Sequence, residues 1–210
     1  MNKKIGLIYR KLYQHFGQQH WWPAESVFEV MVGAILTQNT SWQNVTKAID
    51  NLKRAKVLTA RKLLNLPQKR LATLVNPAGY YNIKAKRLKN WLNFFFKFYQ
   101  GSIKKMSRKN TALLRQELLS VNGIGPETAD SILLYALNKP VFVIDAYTKR
   151  ILSRHNMFKE TDSYDTAQRI FMSNLDKDAK LFNEYHALLV KLGKDYCRKN
   201  KPRCAMCPLK

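Results

Sequence analysis

Val121–Asn122–Gly123–Ile124–Gly125–Pro126–Glu127–Thr128–Ala129–Asp130, with Lys139–Pro140–Val141–Phe142–Val143–Ile144–Asp145 close behind it, is the stretch that decides the fold. It reads as two helices joined by a glycine hairpin, then a short extended apolar segment ending in a lone carboxylate. The two glycines allow positive φ and close backbone approach, and Pro126 suits the first turn of the second helix. The amides of Gly123, Ile124 and Gly125, with Thr128 in the same turn, are then expected to stand free at a helix N-terminus. Such amides are a ready site for a phosphate oxygen. A Gly-x-Gly alone also describes an ordinary helix–helix turn. The whole constellation is more specific: a grip for DNA backbone, with an acid arriving about twenty residues later.

Composition points the same way. The 210 residues are 46% hydrophobic, enough to bury a core as one domain or two small lobes. Lys and Arg number 37 against 14 acids, a formal net charge of +23. That excess is self-repulsive in a compact chain unless a polyanion answers it, so nucleic acid is the leading partner and a membrane surface the second. No apolar run reaches the roughly eighteen residues of a membrane span, and Met1–Asn2–Lys3–Lys4–Ile5 has no signal-peptide core. A soluble, cytoplasmic protein is expected, nucleoid-associated if bacterial. The three cysteines, Cys197, Cys204 and Cys207, crowd into the last fourteen residues and do not suggest a disulfide framework.

Nearly every segment has helical period. Ser26 and Glu29 form a capping box before Val27, Phe28, Val30, Met31, Ile35 and Leu36. A helix follows Ser41, with Trp42, Val45, Ile49 and Leu52 on one face. Short helices are expected at Arg61–Asn65 and Gln68–Val75, broken by Pro67 and Pro77–Ala78–Gly79. A long one runs from Ile83 to Tyr99 with Leu88, Trp91, Leu92, Phe95 and Phe98 inward. Asn110 caps the helix leading into the hairpin. After Asp145 come helices near Ala146–Arg154, Tyr164–Asn174 and Ala179–Tyr196. The one strand-like run, Val141–Ile144, makes no sheet, so the fold is all-α. No internal repeat and no Pro/Gly/Ser linker is visible.

The hairpin, Pro126 and Asp145 resemble the helix-hairpin-helix plus Gly/Pro…Asp signature of the DNA glycosylase superfamily that includes endonuclease III, and the resemblance covers nearly the whole chain. It implies two helical lobes. One is continuous over residues 22–138, with the helix-hairpin-helix at about 111–138; the other joins residues 1–21 to 139–210, and substrate binds in the cleft between them. It also implies that Asp145 is catalytic. An ionised carboxylate beside C1′ of a deoxyribose stabilises oxocarbenium charge as the base leaves and orients the attacking water. Asp145 also reads as the N-cap of the helix starting at Ala146, a compatible role because a helix N-terminus favours the charged form. Glu127 is a departure from the pattern. Members that also cut the strand carry a lysine there, whose amine forms a Schiff base at C1′. Glutamate cannot form an imine, so the chain resembles a monofunctional glycosylase; Glu127 itself faces the pocket or is a first-turn acid.

Trp21–Trp22–Pro23 sharpens the resemblance to the 3-methyladenine branch of the endonuclease III-like proteins. Adjacent tryptophans are equally at home in a core, but a flipped base needs flat walls to stack on. A positively charged alkylated purine suits electron-rich indoles and leaves without protonation. By resemblance, Gln38 fills the gap left by the extruded base, and Tyr80 in Gly79–Tyr80–Tyr81–Asn82 is the wedge that parts the strands. Lys84, Lys86, Arg87 and Lys89, which follow, are expected at phosphates. Lys149 and Arg150 read as phosphate contacts or surface charge. Tyr185, His186 and Lys194 lie on the last long helix, which in the family faces the cleft, with His186 toward the base pocket and Lys194 near the active site.

Cys197-x6-Cys204-x2-Cys207 matches the first three ligands of the endonuclease III-type [4Fe–4S] loop, whose fourth is expected at position 213, beyond Lys210. A fourth ligand from His186, a zinc ion, or a loop whose Arg198, Lys199, Lys201 and Arg203 simply touch DNA are the other readings. Catalysis itself requires no cofactor. The expectation is therefore a monomeric base-excision-repair glycosylase acting on 3-methyladenine and related alkylated purines in double-stranded DNA. The alternatives are a glycosylase for uracil, mismatched or oxidised pyrimidines, and an inactive helix-hairpin-helix DNA-binding protein.

Overall fold

The computed structural model describes residues 3–159 and 161–210, Lys3 by its backbone alone. Among the described residues the chain is all-α, with twelve α-helices and no strand. They are α1 (Lys3–Phe16), α2 (Val27–Leu36), α3 (Trp42–Arg54), α4 (Ala60–Asn65), α5 (Gln68–Leu74), α6 (Tyr81–Tyr99), α7 (Ile103–Ser107), α8 (Thr111–Leu119), α9 (Pro126–Ser131), α10 (Ala146–Arg154), α11 (Tyr164–Met172) and α12 (Ala179–Asp195). None is long and apolar enough to cross a membrane. The chain forms two compact units: Ala24–Leu137, and the stretch up to Pro23 together with Asn138–Lys210.

In the Ala24–Leu137 unit, α2 is buried from Phe28 to Leu36, as its nearly uninterrupted apolar sequence requires. Ser26 caps it by accepting from the Glu29 amide at 3.2 Å. The reciprocal half of the capping box does not form. The Glu29 carboxylate instead accepts from the Glu25 amide at 3.3 Å and pairs with Lys53 of α3 at 2.9 Å. On α6, Leu88, Trp91, Leu92 and Phe95 are buried as expected, but Phe98 is 60% exposed. Tyr99 completes the row from Phe95 instead, because its hydroxyl finds the Glu117 carboxylate on α8.

The two helices of the hairpin are clamped by an ion pair that the sequence reading missed. Arg115 of α8 donates from Nε and Nη2 to the two oxygens of Asp130 on α9, at 2.7 and 3.0 Å. Asp130 has no exposed surface. Within the turn only Gly123 uses the left-handed region, at φ +95°. Gly125 is extended (φ −91°, ψ 177°), so its missing side chain is not required by backbone conformation, contrary to expectation.

The second unit contains a helix absent from the sequence reading, α1. Its Ile5, Ile8 and Leu12 are buried, and α1 packs on α12. Tyr185 on α12, expected toward a cleft, is buried and donates its hydroxyl to the Ile5 carbonyl at 2.9 Å. Val141–Ile144 is extended without a strand partner, because α11 side chains satisfy its backbone. Gln168 Nε2 donates to the Phe142 carbonyl at 2.7 Å, and the Tyr164 hydroxyl accepts from the Ile144 amide at 3.2 Å. The Phe142 ring stacks on Phe171 with centroids 3.8 Å apart. This holds the segment straight up to Asp145.

Removing one partner of a buried, hydrogen-bonded ion pair leaves an uncompensated charge, at a cost of about 3–5 kcal/mol. Asp130→Ala should lower the urea midpoint by that equivalent at unchanged slope. A change under about 1 kcal/mol would show that the Arg115 clamp does not hold the hairpin.

Candidate active site

Asp145 sits where the extended segment meets α10, in the N-cap position. Its Oδ1 accepts from the Thr148 amide at 2.7 Å. His186 Nε2 of α12 stands 3.7 Å from Oδ2, an ion-pair distance rather than a hydrogen bond, with both side chains largely buried. Burial alone would push the Asp145 carboxyl up. The electrostatic interaction with His186, with the Thr148 amide and hydroxyl at the helix start, outweighs it and holds the group below the usual carboxylate range. The site thus keeps a nearly buried carboxylate ionised. His186, expected in the base pocket, is 5% exposed and is assigned by its position to Asp145.

The approach of α12 to α10 depends on Gly193. A Cβ there would lie 2.4 Å from Cδ1 of Tyr147, two residues after Asp145. Arg150 of α10 is spent internally, donating to the Cys197 carbonyl at 2.7 Å and the Gly193 carbonyl at 3.1 Å. Lys149 is half-buried on the first turn of α10. In the same unit the Trp21 and Trp22 rings lie 5.6 Å apart and half-buried, with Pro23 exposed beside them. The Lys194 ammonium lies 5.7 Å from the centre of the Trp21 ring.

The Ala24–Leu137 unit carries the other expected elements. Tyr80, in the left-handed region at the start of α6, is 69% exposed, with Tyr81 and Ile83 also exposed. Gln38 is half-buried, and its Nε2 donates to the Gly123 carbonyl at 3.0 Å and Thr128 Oγ1 at 2.9 Å. Its Oε1 accepts from Arg87. Thr128 is thereby turned inward, 5% exposed, rather than toward DNA. The Ile124 amide is taken by the Val121 carbonyl at 3.0 Å, so of the expected amides it is not free. Glu127 is exposed in the first turn of α9.

The expected row of phosphate contacts on α6 is corrected most. Lys84 is 1% exposed, and its ammonium donates to the Leu36 carbonyl at 2.9 Å and to that of Ala78. Lys89 donates to the carbonyls of Leu63, Leu64 and Leu66 at the end of α4. These lysines cap helix ends whose carbonyls would otherwise go unpaired. Of the three lysines expected there, only Lys86 is exposed.

Residues 32–177 match the family model described as HhH-GPD superfamily base excision DNA repair protein. The chain belongs to this superfamily. Across 97% of its length it is 53% identical to MJ1434 of Methanocaldococcus jannaschii, covering 92% of that protein, whose name provisionally assigns it as a DNA repair glycosylase. It is 24% identical to endonuclease III of Bacillus subtilis over 87% of this chain and 78% of that one. Among solved structures it resembles the H. pylori 3-methyladenine DNA glycosylase MagIII bound to 1,N6-ethenoadenine, with TM-score 0.74, 30% identity and 91% and 94% of the two chains covered. An endonuclease III–DNA complex shares the fold at TM-score 0.85 and 20% identity, covering 100% and 93%.

Cys197, Cys204 and Cys207 carry the spacing expected of the first three ligands of a cluster. Cys197 is buried, Cys204 exposed and Cys207 half-buried, all free. Burial and the neighbouring thiols push the Cys207 thiol up. Among the described residues no group of three His, Cys, Asp or Glu side chains stands ready to hold a metal. His186, a candidate fourth ligand, faces Asp145 instead. Among the described residues these thiols do not make a closed ligand set. The loop is held by Arg154 as well, which donates to the Arg198 carbonyl at 2.6 Å and that of Lys199 at 3.0 Å.

Burial, and then the charge of Arg87, lower the Lys84 ammonium to about 8. The folded chain therefore sheds this proton before the unfolded chain does as pH rises, so the cost of the buried charge is withdrawn between about pH 8 and about 10. The neutral amine keeps two N–H groups for its two carbonyls. Wild-type stability should rise relative to Lys84→Met across that window. A constant difference from pH 7 to pH 10 would mean that Lys84 does not titrate there.

Proposed function

We propose that this chain is a monofunctional DNA glycosylase that hydrolyses the N-glycosidic bond of alkylated purines, 3-methyladenine foremost, in double-stranded DNA. The observation that carries the reading is the ionised Asp145 carboxylate, fixed by Thr148 and His186 and nearly buried. Heterolysis of the C1′–N bond sends the electron pair into the base, and the sugar becomes an oxocarbenium cation. A fixed negative charge in a low-dielectric site stabilises that cation without reorganising. Water then adds at C1′ and loses its proton.

For a base alkylated at a ring nitrogen, the departing electron pair neutralises the positive charge already on the ring, so no general acid is required. Trp21 and Trp22 offer a π-rich surface for such a cation. The 30% identity to a 3-methyladenine glycosylase supports the same choice. Glu127 supports the monofunctional half: at the position where strand-cutting members of the resemblance carry lysine, it is an exposed first-turn acid favoured by the helix dipole. Tyr80 would part the strands, and the net charge of +23 would attract the polyanion.

Incubation with methylated duplex DNA, with released bases separated by chromatography and the DNA assayed for breaks, tests this. Release of 3-methyladenine without strand breaks is expected, falling about 100-fold or more in Asp145→Asn at similar DNA affinity. Release of uracil or an oxidised pyrimidine instead would overturn the substrate assignment. Strand cleavage would overturn the argument from Glu127 and implicate another amine, Lys194 first.

A further inference from the structure

Lys84, Arg87 and Asn90 succeed one another at intervals of three along α6 and share a face of that helix. Each reaches a different segment. Lys84 holds the carbonyl of Leu36, the last residue of α2, and that of Ala78, two residues before Tyr80. Arg87 donates to Gln38 Oε1, two residues past α2. Asn90 Nδ2 donates to the Asn122 carbonyl in the hairpin turn at 3.0 Å.

The stem of Arg87 also lies on the hairpin, where a Cβ at Gly123 would be 2.3 Å from its Cγ. Gly123 is therefore required twice, by its φ of +95° and by this contact. The orientation of the Gln38 amide follows from its partners. A guanidinium only donates, so the oxygen must face Arg87; the Gly123 carbonyl only accepts, so the amide nitrogen must face it. Both ends of Gln38 are engaged, and neither is a swinging side chain.

We propose that Arg87 is a positioning residue for base extrusion, setting the Gln38 amide and the Gly123 turn in register with Tyr80 on a single helix, rather than a phosphate contact. This rests on the reading that the chain extrudes a base. A lysine at this place would keep the charge but lose the fork that meets an amide oxygen in a fixed plane. A phosphate contact, by contrast, needs the charge more than the fork.

The test uses a duplex with 2-aminopurine beside a modified adenine, read by stopped-flow fluorescence, together with affinity for undamaged duplex as a function of salt. Arg87→Met keeps the stem over Gly123; Arg87→Lys keeps the charge. Both are expected to slow extrusion about 10-fold. Arg87→Met should leave the salt dependence of binding as in the wild type and add no further loss to Gln38→Ala, as expected for residues acting as one unit.

A salt slope reduced by about one, with full rescue by Arg87→Lys, would make Arg87 a phosphate contact and overturn the proposal. Additive losses in the Gln38→Ala background would overturn it too. Because extrusion precedes bond cleavage, failure of the alkylpurine reading appears separately, as extrusion without base release.

Discussion

A carboxylate kept charged while almost surrounded by protein is the constraint around which the Asp145 unit is arranged. Burying an isolated carboxylate is so unfavourable that the group ordinarily takes up a proton. Here the balance is reversed by two neighbours, Thr148 and His186, supplied by different helices. The straight run Val141–Ile144 delivers Asp145 to the first turn of α10, where the Thr148 amide meets it. α12 brings His186 to the other oxygen. Gly193, seven residues on, lets α12 come close enough by admitting the Tyr147 ring. The stacking of Phe142 on Phe171 and the anchoring of Tyr185 to α1 are thus more than core packing: they hold the backbone that aims the carboxylate.

The Ala24–Leu137 unit solves a different problem with the same economy of parts. A surplus of cations suggests a surface devoted to phosphate, yet several of the most suggestive ones look inward. Lys84 and Lys89 terminate helices, Arg115 clamps the hairpin, and Arg87 fixes Gln38. In the other unit Arg150 and Arg154 likewise pin the cysteine-bearing loop to α10. A long cationic side chain is well suited to such work, because its several donors can satisfy more than one helix-end carbonyl at once. The exposed cations, such as Lys86, are the remainder available to a polyanion.

Much of the architecture was legible in the sequence because its signals are local. Ser41, Asn110, Asp145 and the proline breaks mark helix boundaries by hydrogen bonds made within three residues. The all-α class followed from helical spacing, and the superfamily from the hairpin with its trailing aspartate. What escaped was set by tertiary partners. α1, which ends on Gly17 at φ +67°, is stabilised by packing on α12, a partner far away in the sequence. Lys84 reads as a surface cation in any window of sequence; only the convergence of two helix-end carbonyls buries it. The pairing of Asp145 with His186 spans forty-one positions, and Arg115 with Asp130 spans the hairpin itself, so neither has a periodic signature. Phe98 and Tyr99 are adjacent aromatics, and the choice between them turned on one hydroxyl finding Glu117.

In the proposed reaction Asp145 acts by its charge on a cationic sugar. The most direct measurement compares affinity for two duplexes, one carrying a neutral tetrahydrofuran abasic analogue and the other a cationic pyrrolidine at the same place, in the wild type and in Asp145→Asn. The wild type is expected to prefer the cation by about 10-fold or more, and the preference is expected to vanish in the variant while affinity for the neutral analogue is retained. Equal affinity of the wild type for the two, or a preference that survives in Asp145→Asn, would contradict that role of Asp145.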